Sequence, residues 1–217
     1  MNLNPEVIAI SSVSSSKLSD ILTAINTLTS SRIFLINKNC KFNLQIKYNP
    51  PETLGTDRLC SAEGGLYLLK KHDEIKALKE NDFFMTVDFG TATTINIIKL
   101  PNSFEGGVIT PGLRMMSESL HSKTELLPEI SFTPVASIIG TTTEENINSG
   151  IINSTVGLIE RIIRKIRKEF SSEVRKVYIT GGNATTIMDN IDFEYFYCRE
   201  LVLYGIKSVY DLNNPVI

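Results

Sequence analysis

The stretch Thr86–Ile98, TVDFGTATTINII, constrains the fold of this chain more than any other segment. An apolar run delivers Asp88 and breaks at Gly90, and a second β-rich run begins almost at once. That pattern reads as two strands joined by a tight turn. Gly90 can adopt a positive φ, which lets the turn aim backbone N–H groups at an anion. Thr91, Thr93 and Thr94 add hydroxyl donors, and Asp88 can hold a cation that offsets phosphate charge. The same residues also suit a plain hairpin, because threonine favours strands.

The elements around this hairpin read as α/β. Val7–Ile10 is a short strand, and Lys17–Leu28 has helical spacing with Leu18, Ile21, Leu22, Ile25 and Leu28 on one stripe. Strands follow at Arg32–Ile36 and Asn43–Tyr48. Asn49-Pro50-Pro51 breaks the chain before a helix over Asp57–Lys71. The charged connection Lys70–Asp82 leads to the strand Phe83–Asp88, which divides the chain into domains 1–83 and 84–217. Past the hairpin comes a strand at Phe104–Thr110, with Thr110 expected to cap a helix that has Pro111 at its first position. Thr142 and Glu145 form a capping box for a helix reaching Phe170, with Ile147, Ile151, Leu158, Ile162 and Ile166 as its apolar stripe. Lys176–Thr180 is a strand meeting Gly181-Gly182, and Glu200–Val209 is helical.

The formal charge of −2 provides no electrostatic footprint for nucleic acid, and the basic run Arg161–Lys168 reads as a solvated helix face. Cys40, Cys60 and Cys198 are scattered and form no metal-ligand spacing, so they are expected as free thiols in a reducing compartment. No apolar run has membrane-spanning length and no leader pattern opens the chain, which makes a cytoplasmic protein without a membrane partner the expectation. His72 and His121 fall in polar surroundings and serve no nucleophile.

Other residues could carry chemistry. Gly55-Thr56-Asp57-Arg58 stands at a helix start, where it serves either as a cap with a surface ion pair or as a site. In a site, Arg58 would fork onto a carboxylate and Asp57 would accept a proton from a hydroxyl. Gly106-Gly107, Pro111-Gly112 and Thr180-Gly181-Gly182 each allow close backbone approach, to a ligand or to another chain, and each equally suits a plain turn.

In this order these motifs resemble the type III pantothenate kinase family. Tyr48 precedes Gly55-Thr56-Asp57-Arg58, and Asp88-Phe89-Gly90-Thr91-Ala92-Thr93-Thr94 follows. Then come Gly106-Gly107-Val108-Ile109-Thr110-Pro111-Gly112-Leu113, Thr143 within IGTTTEENINSG, and Thr180-Gly181-Gly182. The resemblance implies a fold of the acetate-and-sugar-kinase, Hsp70 and actin type, with ribonuclease-H-like domains. It implies ATP-dependent phosphorylation of pantothenate to 4′-phosphopantothenate, the first step of coenzyme A biosynthesis. It also implies a homodimer with the pantothenate site at the subunit interface. Asp57 matches the general base. Tyr48, Gly55, Thr56, Arg58 and Thr143 match pantothenate contacts, with Thr143 reaching the partner subunit's site. Asp88 matches the ligand of a monovalent cation, potassium or ammonium, while magnesium accompanies the nucleotide. Gly90 and Thr91 match the phosphate end of the ATP site, and Gly181 and Gly182 its adenosine end.

The chain departs from the family pattern in three ways, one of them a connection Lys70–Asp82 longer than is usual. The family opens with a D-x-G-N-T hairpin, the opposite jaw of the ATP clamp, and no such motif is written here. The first domain is therefore expected to be N-terminally truncated. The departure also admits a member that binds pantothenate or a protein partner without turning over ATP. Asn96 stands where an acidic residue is expected.

Overall fold

The computed structural model describes residues 5–72, 78–134 and 137–215, in two compact units. Residues 73–77 of the Lys70–Asp82 connection lie outside the described residues.

The first unit takes in the N-terminal part of the chain to Ala77, together with Asn102–Glu105 and Glu200–Ile217. Strands β1 (Val7–Ser11) and β2 (Arg32–Ile36) pair in parallel, Val7 opposite Arg32 through Ser11 opposite Ile36. Helix α1 (Ser15–Leu28) makes the crossover between them, as the parallel pairing requires. Leu18, Leu22 and Ile25 are half-buried, but Ile21 and Leu28 of the same expected stripe are exposed. A sheet of two strands offers too narrow a face to cover the whole stripe.

Of the strand expected over Asn43–Tyr48, only β3 (Gln45–Ile46) is formed, because its partner is the short stretch Ser103–Phe104. Pro51–Thr53 makes a 3-10 turn before helix α2 (Thr56–Lys71). Against α2 lies α6 (Leu201–Asn213), and the two backbones nearly touch. A β-carbon on Gly205 would stand 1.7 Å from the Cys60 carbonyl oxygen, and one on Gly64 would stand 2.0 Å from that of Leu201. Only glycine permits this approach at either crossing point. Ile36, Cys60 and Val209 form the centre of a small core flanked by Phe34, Phe42 and Ile206.

The second unit holds the larger core. Strands β4 (Phe83–Phe89) and β5 (Ala92–Lys99) form the expected hairpin, in register from Phe83 opposite Lys99 to Phe89 opposite Thr93. Beside them run β6 (Ser103–Pro111), β7 (Val174–Thr180) and the short β8 (Phe196–Tyr197), in the order β6-β5-β4-β7-β8. β7 is parallel to β4, and β8 to β7. An antiparallel hairpin followed by parallel strands reached through helices is a ribonuclease-H-like arrangement. Helix α3 spans Leu113–Lys123 and α4 Thr143–Phe170. α4 begins with the expected capping box, Thr142 accepting from the Glu145 N–H and Glu145 accepting from the Thr142 N–H. Its packed stripe also includes Ile152, Val156 and Ile159, whereas Leu158 and Ile162 are only half-buried.

The start of α3 differs from expectation. β6 continues through Pro111 and Gly112 is the N-cap, so Thr110 and Pro111 belong to the strand. Sheet pairing holds these residues extended where local capping preference alone would have turned them. Helix α5 (Ala184–Met188) follows Gly182, a short element too brief to announce itself by periodicity. The expected basic face of α4 is exposed, with Lys165 paired to Glu169 and Arg167 to Glu173. Cys40, Cys60 and Cys198 are free thiols. Among the described residues no helix is long and apolar enough to cross a membrane.

Candidate functional site

In the first unit the Gly55–Arg58 motif forms the entry to α2. Gly55 is its N-cap, and its backbone is ordinary extended chain. A β-carbon there would lie 2.4 Å from Asp57 Oδ1 and 3.3 Å from Val13 Cγ1, so a larger residue would push the Asp57 carboxylate aside. Thr56 Oγ1 accepts a 2.9 Å hydrogen bond from Ser11 Oγ, which ties the helix start to the end of β1. Asp57 is exposed in the first helical turn, where the helix dipole favours an anion. Its Oδ1 accepts from the Arg58 N–H at 2.8 Å.

Arg58 is buried, only 6% exposed. Its guanidinium carbon lies 5.6 Å from the centre of the Tyr48 ring and 5.8 Å from that of Phe104. The two rings meet edge to face at 6.3 Å. An aromatic pair around a guanidinium fixes the plane of its donor fork. Tyr48 and Arg58, distant in sequence, are thereby brought together. Phe104 was not singled out from the sequence, because an apolar residue in a strand gives no sign of stacking on a cation.

In the second unit the β4–β5 turn is braced from two sides. Gly90 N–H donates to Ala92 O at 3.2 Å to close the turn. Gly90 does not use a left-handed conformation, contrary to expectation; a two-strand register this regular closes without one. Gly181 does, with φ +100°, and a β-carbon there would lie 2.5 Å from both Asp88 Oδ1 and Phe89 N. From the same side Asn183 donates its backbone N–H to Phe89 O at 3.0 Å and its side-chain Nδ2 to Gly90 O at 3.2 Å. On the other side Gly112 N–H donates to Thr91 O at 3.1 Å, and a β-carbon on Gly112 would lie 2.3 Å from that oxygen. Asp88, Gly90, Thr91 and Gly181 are thus one constellation, with Gly182 exposed beside it and Thr91 exposed at its tip.

Asn183 and Gly112 were not recognised as braces. Asn183 directly follows the Gly-Gly pair, and an amide there was the one available signal. Asn96 is buried and donates Nδ2 to Thr86 Oγ1 at 3.0 Å, so its position is filled by a neutral cross-strand pair.

Thr143 lines a different feature of this unit. It is exposed in the first turn of α4, on an open cavity of about 680 Å³ that also meets Met115, Met116, Leu120, Ile147 and Ile151. The nearby Glu145 carboxylate is held below its ordinary range by the Thr141 N–H, the Thr141 hydroxyl and the Thr142 N–H.

No group of three or more histidine, cysteine or acidic side chains converges among the described residues. Asp88 is a half-buried carboxylate beside backbone groups, a donor type able to hold a cation. The open space around Gly182, where a β-carbon would meet nothing within 4 Å, leaves room for a bulky ligand.

The ribonuclease-H-like unit and its braced acidic turn place the chain in the acetate-and-sugar-kinase, Hsp70 and actin class of folds. Within that class it belongs to the type III pantothenate kinase family, whose family model matches residues 1–165. A type III pantothenate kinase of Persephonella marina is 34% identical over 180 residues, covering 82% of this chain and 65% of that protein. One from a Sulfurihydrogenibium species is 30% identical over 203 residues, covering 94% and 76%. The chain thus spans about two thirds to three quarters of the length of these relatives. A crystal structure described as a Baf family transcriptional activator from Campylobacter jejuni superposes with a TM-score of 0.65 over 99% of this chain and 86% of the other. At 18% identity that is a likeness of fold alone.

Proposed function

We propose that the chain is a type III pantothenate kinase that transfers a phosphoryl group from ATP to the primary hydroxyl of pantothenate, opening coenzyme A biosynthesis. The observation that carries this reading is the bracing of Asp88–Thr91 by Gly181 and Asn183 on one side and Gly112 on the other. Such bracing holds an acidic turn rigid, and phosphoryl transfer depends mainly on positioning and charge neutralisation. ATP supplies the phosphoryl group. Asp57 accepts the hydroxyl proton, one carboxylate oxygen holding the Arg58 N–H and the other turned to the substrate. Arg58, held beside the Tyr48 and Phe104 rings, pairs with the pantothenate carboxylate. Gly55 and Thr56 shape the wall beside it.

In the same reading Asp88 ligates potassium or ammonium, magnesium accompanies the nucleotide, Gly90 and Thr91 meet its phosphates, and Gly181 and Gly182 its adenosine. Residues 1–83 carry the pantothenate motif and 84–217 the nucleotide motifs. The protein acts in the cytoplasm as a homodimer, without nucleic acid or membrane partners. The mostly apolar cavity at Thr143, with Met115 43% exposed, supports a subunit interface there.

A coupled phosphorylation assay with ATP, potassium and pantothenate tests the proposal. Turnover that disappears in Asp57→Asn supports it. Saturable pantothenate binding without turnover, lost in Arg58→Ala, would replace it with a binding function.

A further inference from the structure

Glu63 lies on α2 beyond the Gly55–Arg58 motif and is completely buried. A buried carboxylate persists in a fold only when its oxygens are satisfied, and here both are. Oε1 accepts the backbone N–H of Leu44 at 2.9 Å. Oε2 accepts from Asn43 Nδ2 at 3.2 Å and from Ser208 Oγ of α6 at 3.3 Å. Two of these three donors belong to the segment that begins the strap Asn43–Tyr48.

That strap is held along its length. The Asn43 carbonyl accepts from Asn102 Nδ2 at 2.6 Å. Gln45 N–H donates to Asn102 O at 2.9 Å, and Lys47 N–H to Phe104 O at 3.0 Å. The strap ends at Tyr48, whose ring stacks on Arg58. One helix therefore grips both ends of the strap, through Glu63 at Leu44 and through Arg58 at Tyr48. The grip at the Glu63 end is made of direct hydrogen bonds to a fully buried carboxyl group, and that at the Tyr48 end of a ring contact at 5.6 Å.

We infer that Glu63 is a positioning residue for the pantothenate site: its carboxylate anchors the Asn43–Leu44 end of the strap and so sets where Tyr48 meets Arg58. The inference rests on the kinase reading for its consequence, and on the hydrogen bonds alone for its mechanism. Glu63 touches no substrate. It acts through Leu44, Asn43 and the short β3 pairing.

Two measurements on the full chain test it. The first is amide hydrogen exchange, which reports local opening. In Glu63→Ala the Leu44 amide should exchange at least ~10-fold faster, while Met85 and Val87 in β4 keep their protection. Glu63→Gln retains an acceptor for that N–H and should restore most of the protection. The second is steady-state kinetics. Glu63→Ala should raise the pantothenate KM by about tenfold, a factor worth one lost charged hydrogen bond, and leave kcat and the ATP KM within about twofold. Glu63→Gln should recover most of the loss. If Glu63→Ala does not fold, Ser208→Ala and Asn43→Ala each remove a donor to Oε2 and should show the same pattern in smaller degree.

Leu44 protection unchanged in Glu63→Ala would overturn the inference. So would a fall in kcat with both KM values unchanged, the signature of a residue whose loss merely lowers the folded fraction. If the unaltered chain neither binds nor phosphorylates pantothenate, the kinase reading fails, and the exchange measurement still decides whether Glu63 sets the strap.

Discussion

A β-carbon placed on Gly181 would stand 2.5 Å from the Asp88 carboxylate oxygen, so the second glycine turn and the first acidic turn are mutually exclusive with any larger residue at 181. The contact joins two motifs that lie far apart in sequence, and the backbone at 181 sits at φ +100°, a conformation that favours glycine. Gly181→Ala is expected to cost about 1–3 kcal/mol from left-handed strain and displacement of Asp88. Denaturant unfolding would measure that loss. The nucleotide affinity of the folded fraction should fall with it, and unchanged affinity would detach the turn from nucleotide binding.

Arg58→Lys keeps the charge and discards the planar guanidinium. The stack on Tyr48 and Phe104 depends on that plane. Pantothenate affinity, read by calorimetry, should weaken by about 1–2 kcal/mol, equivalent to roughly tenfold or more. Tyr48→Ala should weaken it similarly, whereas Tyr48→Phe should be close to neutral because stacking needs the ring and not the hydroxyl.

Asp82 closes the lower end of the β4–β7 pairing. Burial by itself would raise its pKa, but the Glu173 N–H at 3.0 Å and the Arg175 guanidinium at 2.6 Å outweigh it and hold the carboxyl below its ordinary 3.8. A depressed folded-state value means the contribution is present above the unfolded pKa and is lost as pH falls through the folded one. Urea midpoints of the unaltered chain should therefore drop below about pH 4. Asp82→Asn should start from a lower midpoint at pH 6 and show a flatter acid limb. Arg175 is partly exposed, so moderate salt should weaken the effect.

Cys60 is fully buried under α6, and burial pushes its thiol up to about 12, with a hydrogen bond to Ser11 opposing that rise. No appreciable thiolate exists at pH 8. Iodoacetamide should label the half-buried Cys40 in the native protein and reach Cys60 only after denaturation. Native labelling of Cys60 at a rate like that of Cys40 would show that the α2–α6 packing opens readily.

The hairpin of β4 and β5 was legible because strand propensity, an intervening glycine and the apolar pattern all agree over Phe83–Lys99. The α4 capping box was legible for the same reason, since Thr142 and Glu145 act within one turn. Thr110 and Pro111 misled because their local preference for a helix start competes with sheet pairing, and pairing prevails. The α1 stripe misled because its apolar spacing says nothing about how wide a sheet it will meet. Glu63 was invisible, as a glutamate in a helix is usually solvated.

The residues alone determined what is local or ordered along the chain: most of the elements and the succession of motifs that marks the family. Only the tertiary structure decided which of these touch. Tyr48 meets Arg58, Gly181 meets Asp88, and Glu63 meets Leu44 through contacts between segments that periodicity cannot relate. Such contacts are chosen when burial and hydrogen bonding are satisfied together, a condition imposed on the whole packed unit and on no single stretch of sequence.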